Sequence, residues 1–157
     1  MLSEQTDNCT GLIMKFEDIH AAWEKDSIID RTELGDESLR IPKLHHKYYT
    51  MLVAEKATLR KLESCMKKLR LEKYEFYTQG HTDETKARGW KLPARGMILK
   101  GDIPMYMDAD QDVVDLSLRI GVQQEKVDFL TSILESVRFR SNAIKNAIDW
   151  ARFTMGG

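Results

Sequence analysis

No phosphate-binding loop of the GxxxxGK[ST] kind occurs in the 157 residues, and neither does GxGxxG, HExxH or GxSxG. P-loop nucleotide hydrolysis and the other chemistries those motifs carry therefore have no visible vehicle here. Cysteine is scarce: Cys9 and Cys65 lie far apart, in no CxxC or Cys/His spacing that would hold zinc, and reduced thiols are expected. Long apolar runs are missing as well, the longest falling far below the roughly 20 residues of a membrane span. No membrane is expected among the partners. The opening MLSEQTDNCTGLIMKFEDI has neither the basic nor the apolar region of a secretory signal, so the protein is expected to stay where it is made. Metal sites are equally poorly supported. His45 and His46 are adjacent and so face different sides of a helix. The alternating acids Asp108, Asp110 and Asp112 open like a calcium loop, but Val113 stands where glycine is needed and Arg119 where glutamate is needed. Helix capping is the expected role of those acids.

A strong net charge is also lacking, the formal value being −1, but this near-neutrality hides a segregation. Residues 1–40 carry 10 acids against 4 bases, whereas residues 41–73 carry 3 against 9. The two remaining stretches are close to balanced. A compact basic block inside a neutral molecule says more about partners than the overall pI does.

What is present is helical periodicity. The length suits one domain with a modest core, or a helical protomer whose core is completed by neighbouring copies. Residues 1–13 are expected to be a disordered N-terminus and 14–157 a single helical, homo-oligomeric domain. Phe16, Ile19 and Trp23 fall at helical spacing and predict a short amphipathic helix. SIIDRTELGDES reads as a turn-rich connection broken at Gly35. A long second helix is predicted from near Ser38 to about Thr78, with Pro42 in its first turn and Gly80 as its stop. Beyond it, HTDETKARGW is loop-like, and MILKGDIPMYM holds two short β-capable runs around Gly101-Asp102, for which a small hairpin is expected. The last helix opens in MDADQDVVDL. Along it Val127, Leu130, Leu134, Val137, Ser141, Ile144 and Ile148 keep a step of three and four, which predicts an oligomerisation seam. Ser136, Ala143 and Ala147 beside it are small enough to admit another helix. The fold class is mostly α: a short N-terminal helix, a long basic central helix, a small irregular or β-hairpin insert, and a long C-terminal oligomerisation helix.

The basic block ends in MKKLRLEKYEFYTQG, residues 66–80. Lys56, Arg60, Lys61, Lys67, Lys68, Arg70 and Lys73 lie within eighteen residues, against only Glu63 and Glu72. Single-stranded nucleic acid is held by a cationic track for phosphates with aromatic faces for unstacked bases, and Tyr74 and Tyr77 are the candidate faces. Phe76 continues the apolar stripe and is expected in the core. The competing reading is a solvated helix face.

Two blocks carry a resemblance. EKDSIIDRTELGDESLRIPKLHHKY, from Glu24 to Tyr48, and ADQDVVDLSL followed by FLTSILESVRFRSNAIKNAIDWARF to Phe153 resemble the corresponding parts of the UvsY recombination mediators of T-even-like bacteriophages. With the KK…YTQG segment between them, they cover most of residues 15–155. The resemblance implies a non-catalytic protein without cofactor, working in the cytoplasm of an infected bacterial host. Such a protein binds single-stranded DNA, acts alongside the phage single-strand DNA-binding protein, helps a RecA-like UvsX-type recombinase nucleate its filament, and forms ring-like homo-oligomers. The family's basic motif, Lys-Ala-Arg-Leu before Tyr-Tyr and a glycine, has its nearest positions here at Leu71-Glu72-Lys73-Tyr74, ahead of Phe76-Tyr77 and Gly80. Lys67 and Lys68 match a pair before the motif. The alternative left open is a structural or adaptor oligomer without direct DNA binding, its basic helix meeting the acidic N-terminal segment of a neighbour.

Overall fold

The computed structural model describes residues 14–96 and 98–156. The helices are α1 (Phe16–Ser27), α2 (Leu34–Gln79), α3 (Asp83–Ala87), α4 (Ile103–Asp108) and α5 (Gln111–Thr154). Among the described residues there is no strand. The mostly helical class, with one long central and one long C-terminal helix, is therefore the observed one. The expected disordered segment 1–13 lies outside the described residues. The expectation of reduced thiols rests in part on Cys9, which lies outside the described residues.

The helix boundaries follow from local chemistry, with three departures from expectation. α2 begins at Leu34, so Gly35 sits in its first turn, and Asp36 and Glu37 place carboxylates at the positive end of the helix dipole. Pro42 lies inside α2, past the first turn, where it cannot donate to a carbonyl of the preceding turn. Side chains on both sides of it hold the segment: Arg40 and Lys47 reach the Asp26 carboxylate at 2.7 and 2.6 Å. The third departure is the insert. Ile103–Asp108 is helical, with Pro104 in the first turn where its missing N–H costs little, so no hairpin forms from it. The predicted stop is observed: Gly80 has φ of 89°, and its N–H donates to the Phe76 carbonyl at 3.0 Å. At the start of α5 the Asp110 carboxylate accepts from the Asp112 N–H at 3.0 Å, the capping role expected of these acids, whereas the carboxylates of Asp108 and Asp112 pair with Arg70 and Lys73.

The chain divides into two compact units. One comprises the described residues up to Ala57 together with those from Gln124 on. Its core is Ile19, Leu44, Tyr48 and Leu52 against Val127, Leu130, Ile133, Val137 and Ile144, all buried. Trp23 meets Tyr48 edge-on with ring centroids 5.4 Å apart, and His20 stacks on Phe129 at 4.0 Å. Its polar centre is Arg140, which is buried. The guanidinium donates to the carbonyls of Asp26, Ser27 and Ile28 at 3.0, 3.1 and 2.8 Å, satisfying groups that the end of α1 leaves orphaned. The same group pairs with Glu37 at 2.6 Å, and that bond holds the Glu37 carboxyl below its usual range against the opposing effect of burial. Burial raises the Asp26 carboxyl, but bonds from Lys47 and Tyr48 and the nearby cations outweigh it and bring it below the ordinary value.

The other unit runs from Thr58 to Gln123. Leu59, Leu62 and Phe76 of α2 are buried with Ile103 and Met107 of α4 and Val113 of α5. Phe76 is ringed by Tyr77, His81 and Trp90 at 5.2 to 5.3 Å between centroids, which confirms it as core. α3 carries a capping box in which the Thr82 hydroxyl accepts from the Thr85 N–H and the Thr85 hydroxyl accepts from the Thr82 N–H. Arg88 fastens α3 to α2 through Glu84 at 2.6 Å and Glu72 at 2.7 Å.

Candidate nucleic-acid interface

A helix turns about 100° per residue, so positions seven apart fall almost in line, about 10 Å from each other along the axis. On α2 this rule sorts the basic block. Arg60, Lys67 and Tyr74 form one such row and Lys61 and Lys68 the next, and all five are exposed. Lys56, one turn before Arg60, is exposed too. The buried face passes through Leu59, Leu62 and Phe76. Among the described residues, none of Lys56, Arg60, Lys61, Lys67 and Lys68 is held in an ion pair. Their charge therefore faces solvent uncompensated at short range, which is the state a polyanion can use.

The three remaining positions differ. Arg70 is exposed but reaches the Asp108 carboxylate at 3.1 Å. Lys73 is buried, 3% exposed, with its ammonium 2.9 Å from Asp110, 2.6 Å from Asp112 and 3.8 Å from the centre of the Trp90 ring. By sequence alone Lys73 counts among the DNA-contacting bases; in the fold it is turned inward and neutralised by two carboxylates and an aromatic face. Tyr77 is half-buried, and its hydroxyl donates to Asp110 at 2.8 Å. Burial first, then that bond, raises its phenol, so it stays a neutral donor. Its ring is committed to Phe76 and Tyr106, which leaves Tyr74 as the exposed aromatic face in this segment. Leu71, which the basic and aromatic pattern does not single out, is also exposed.

The spacing does set Lys73 apart from the basic run. Leu59, Met66 and Lys73 stand seven apart, so Lys73 continues an inward row. What the spacing does not supply is the identity of its partners, which come from the far side of the insert.

The predicted oligomerisation seam also changes meaning. Val127, Leu130, Val137 and Ile144 are 0–5% exposed within the single chain, and Leu134 and Ile148 are half-buried. The first helix and the N-terminal part of α2 already cover this face, so its regular step marks the core of the protomer. The uncovered face of α5 is the opposite one. Phe139, Trp150 and Phe153 lie there at 64–76% exposure, with Ser136 and Ala143 exposed in the same rows. The Trp150 and Phe153 rings touch at 5.9 Å between centroids. Trp150 and Phe153 form an exposed aromatic pair on this face, with Phe139 exposed three turns earlier.

The family described as recombination, repair and ssDNA binding protein UvsY matches residues 22–157. Recombination protein uvsY of Enterobacteria phage T4 is 24% identical over 144 residues, spanning 91% of this chain and 99% of the phage protein. Two crystal structures of the bacteriophage T4 recombination mediator protein UvsY share the fold. The lattice type II form has a TM-score of 0.74 at 24% identity, covering 91% of this chain and 99% of that one. The type IV form has a TM-score of 0.73 at 21% identity, covering 90% and 99%. With the family match running from within α1 through the rest of the sequence, the chain belongs to the UvsY family of recombination, repair and ssDNA-binding proteins.

Proposed function

We propose that this protein is a recombination mediator that holds single-stranded DNA on the exposed rows of α2 and promotes loading of a RecA-like, UvsX-type recombinase onto strands covered by single-strand-binding protein. The observation that carries the reading is the set of exposed cations Lys56, Arg60, Lys61, Lys67 and Lys68, outside any ion pair among the described residues, with Tyr74 exposed in the Arg60–Lys67 row. Arg70 joins them when a phosphate takes the place of Asp108. Lys73 and Tyr77 are left out of the contact set and act by holding the end of α2 in place. The protein acts without catalysis of its own, in the cytoplasm of the infected host.

Self-association is assigned to the outer face of α5, through Phe139, Trp150 and Phe153. Copies arranged as a ring would present several basic rows to one strand, so that weak sites gain through avidity while each remains easy to vacate. A structural oligomer without DNA binding shares this surface and differs only at α2. Changing Lys67 and Lys68 together to Gln separates the two. The double variant should keep its helix content, lose affinity for all single-stranded sequences, and show a log-log salt slope shallower by about one unit for each phosphate no longer neutralised. A folded double variant with wild-type affinity and slope would remove α2 from the binding surface. A wild-type protein that fails to stimulate its cognate recombinase on coated strands would reject the mediator reading.

A further inference from the structure

The unit from Thr58 to Gln123 holds a groove that the basic rows do not account for. Met66 and Arg70 of α2 form one wall, Val113, Val114, Ser117 and Leu118 of α5 the other, and Asp108 stands at its edge. The volume is about 200 Å³. That is smaller than the roughly 300–1,000 Å³ of sites that enclose whole small molecules, and it suits one planar ring laid in from the side. The lining is mostly aliphatic, and Leu118 is left 65% exposed at the lip, a large apolar side chain without cover.

Two observations point to what fits there. The first is charge. Arg70 enters the groove wall from the cationic helix, and Lys67, an exposed cation three residues earlier, stands one turn away on the same helix. The second is the nature of the pair that Arg70 makes. Its 3.1 Å contact with Asp108 is between two well-exposed side chains, so water weakens it. A backbone phosphodiester offers a guanidinium a comparable pair of charged oxygens. Lys73, by contrast, is buried between its two carboxylates and is not exchangeable in this way. Ser117 adds a hydroxyl that can serve the edge of any base. An uncovered aliphatic floor beside a loosely held guanidinium matches the two halves of a nucleotide, whereas a purely electrostatic track would accept any polyanion.

We propose that this groove takes one nucleotide of a bound single strand, with the base against Met66 and Leu118 and its phosphate on Arg70 in place of the Asp108 carboxylate. The inference rests on the single-strand reading above and gives it a discrete base-accepting position. Asp108 then acts as an internal stand-in for phosphate, keeping Arg70 occupied until DNA arrives.

The test uses the full-length protein with two strands of equal length, one of mixed sequence and one abasic, each titrated at several salt concentrations. Wild type should prefer the base-bearing strand. Leu118→Ser, at an exposed position, should narrow that preference roughly three-fold by reducing apolar contact, with abasic binding unchanged. Asp108→Asn should tighten binding of both strands and steepen the salt slope by about one unit, because a phosphate gains Arg70 without displacing a carboxylate. In an Arg70→Gln background the effect of Asp108→Asn should vanish. An unchanged strand preference in Leu118→Ser, with binding intact, would overturn the groove site and leave the basic rows standing. An Asp108→Asn gain that persists in Arg70→Gln would do the same by exposing a general charge effect. Wild type binding neither strand would sink the single-strand reading itself.

Discussion

Removing the Lys73 ammonium tests whether this residue belongs to the architecture or to the DNA surface. In Lys73→Met the stem volume is largely kept while the charge is lost. The side chains of Lys73 and Asp110 are 4% and 9% exposed, so the Asp110 carboxylate would stay buried with only the Tyr77 hydroxyl and the Asp112 N–H as donors. Breaking a buried pair by deleting one partner costs about 3–5 kcal/mol. Asp112 is half-exposed and can turn to water, so its share is small. The contact with the Trp90 face adds a further loss of about 1 kcal/mol or more when desolvated. Methionine returns some packing against the same ring, so a net cost of about 3 kcal/mol is expected. For a protein of this length that lowers Tm by roughly 6–12 °C. Asp110→Asn, which keeps a capping oxygen, should recover part of the loss when combined with Lys73→Met. Thermal melts and urea titrations followed by circular dichroism measure this, and a salt titration with single-stranded DNA at a temperature where the variant is folded completes the experiment. If the melt is unchanged while the salt slope falls by a full unit, Lys73 is a phosphate ligand and the inward assignment is wrong.

Changing Trp150 and Phe153 together to Ser should lower the solution mass measured by sedimentation while helix content and Tm hold, whereas Val137→Asp should unfold the protomer by several kcal/mol; an unchanged mass in the first variant would remove the outer face of α5 from the subunit contact. The Asp26 and Glu37 carboxyls are held below their ordinary values in the fold, so their contribution is fully present above about pH 4–5 and is lost as pH falls through the lowered folded-state values; Asp26→Asn should therefore show a flatter stability profile below about pH 5 than wild type in urea titrations across pH. Gly80→Ala meets no atom within 4 Å but must adopt φ near +89°, so a loss of about 1–2 kcal/mol in the urea-derived stability is expected from backbone strain alone.

The parts of the fold legible in the sequence are those set by local rules. Phe76 belongs to the core because it continues a stripe, Gly80 is a stop because glycine readily takes that positive φ, and Asp110 caps α5 because its carboxylate can accept from the Asp112 N–H. Where two local rules compete, the sequence points the wrong way. IPMYM has strand-forming residues, but a proline at the second position of a short segment suits a helix start equally well, and packing of Ile103 and Met107 into the core decides for helix. Gly35 is an ordinary breaker that a long, tertiary-braced helix absorbs. The site is harder for a different reason. Periodicity separates inner from outer faces but says nothing about which molecule covers the inner one, and so the step of Val127, Leu130, Val137 and Ile144 looks the same whether it is an intersubunit seam or a protomer core. Composition likewise counts Lys73 with the other bases, although its position in the Leu59–Met66 row and the distant Asp110 decide its fate.

The grip of Arg140 on the end of α1 sets a timetable for synthesis. The carbonyls it satisfies belong to Asp26, Ser27 and Ile28, separated from it by 112 to 114 residues. At about 5–20 residues per second, roughly 6–23 seconds of translation pass between the appearance of that helix and the arrival of its clasp. During this interval α1 has its partners on α2, Arg40, Lys47 and Tyr48, but lacks the α5 side of the core, since Val137 and Ile144 emerge at the same late stage as Arg140. The nascent chain therefore presents α2, basic and complete, before the α5 clasp on Glu37 near its N-terminal end exists. Full closure of this unit waits for Arg140, and a chain ending short of it would hold its first helix only by the contacts to α2 from Asp26 and Trp23.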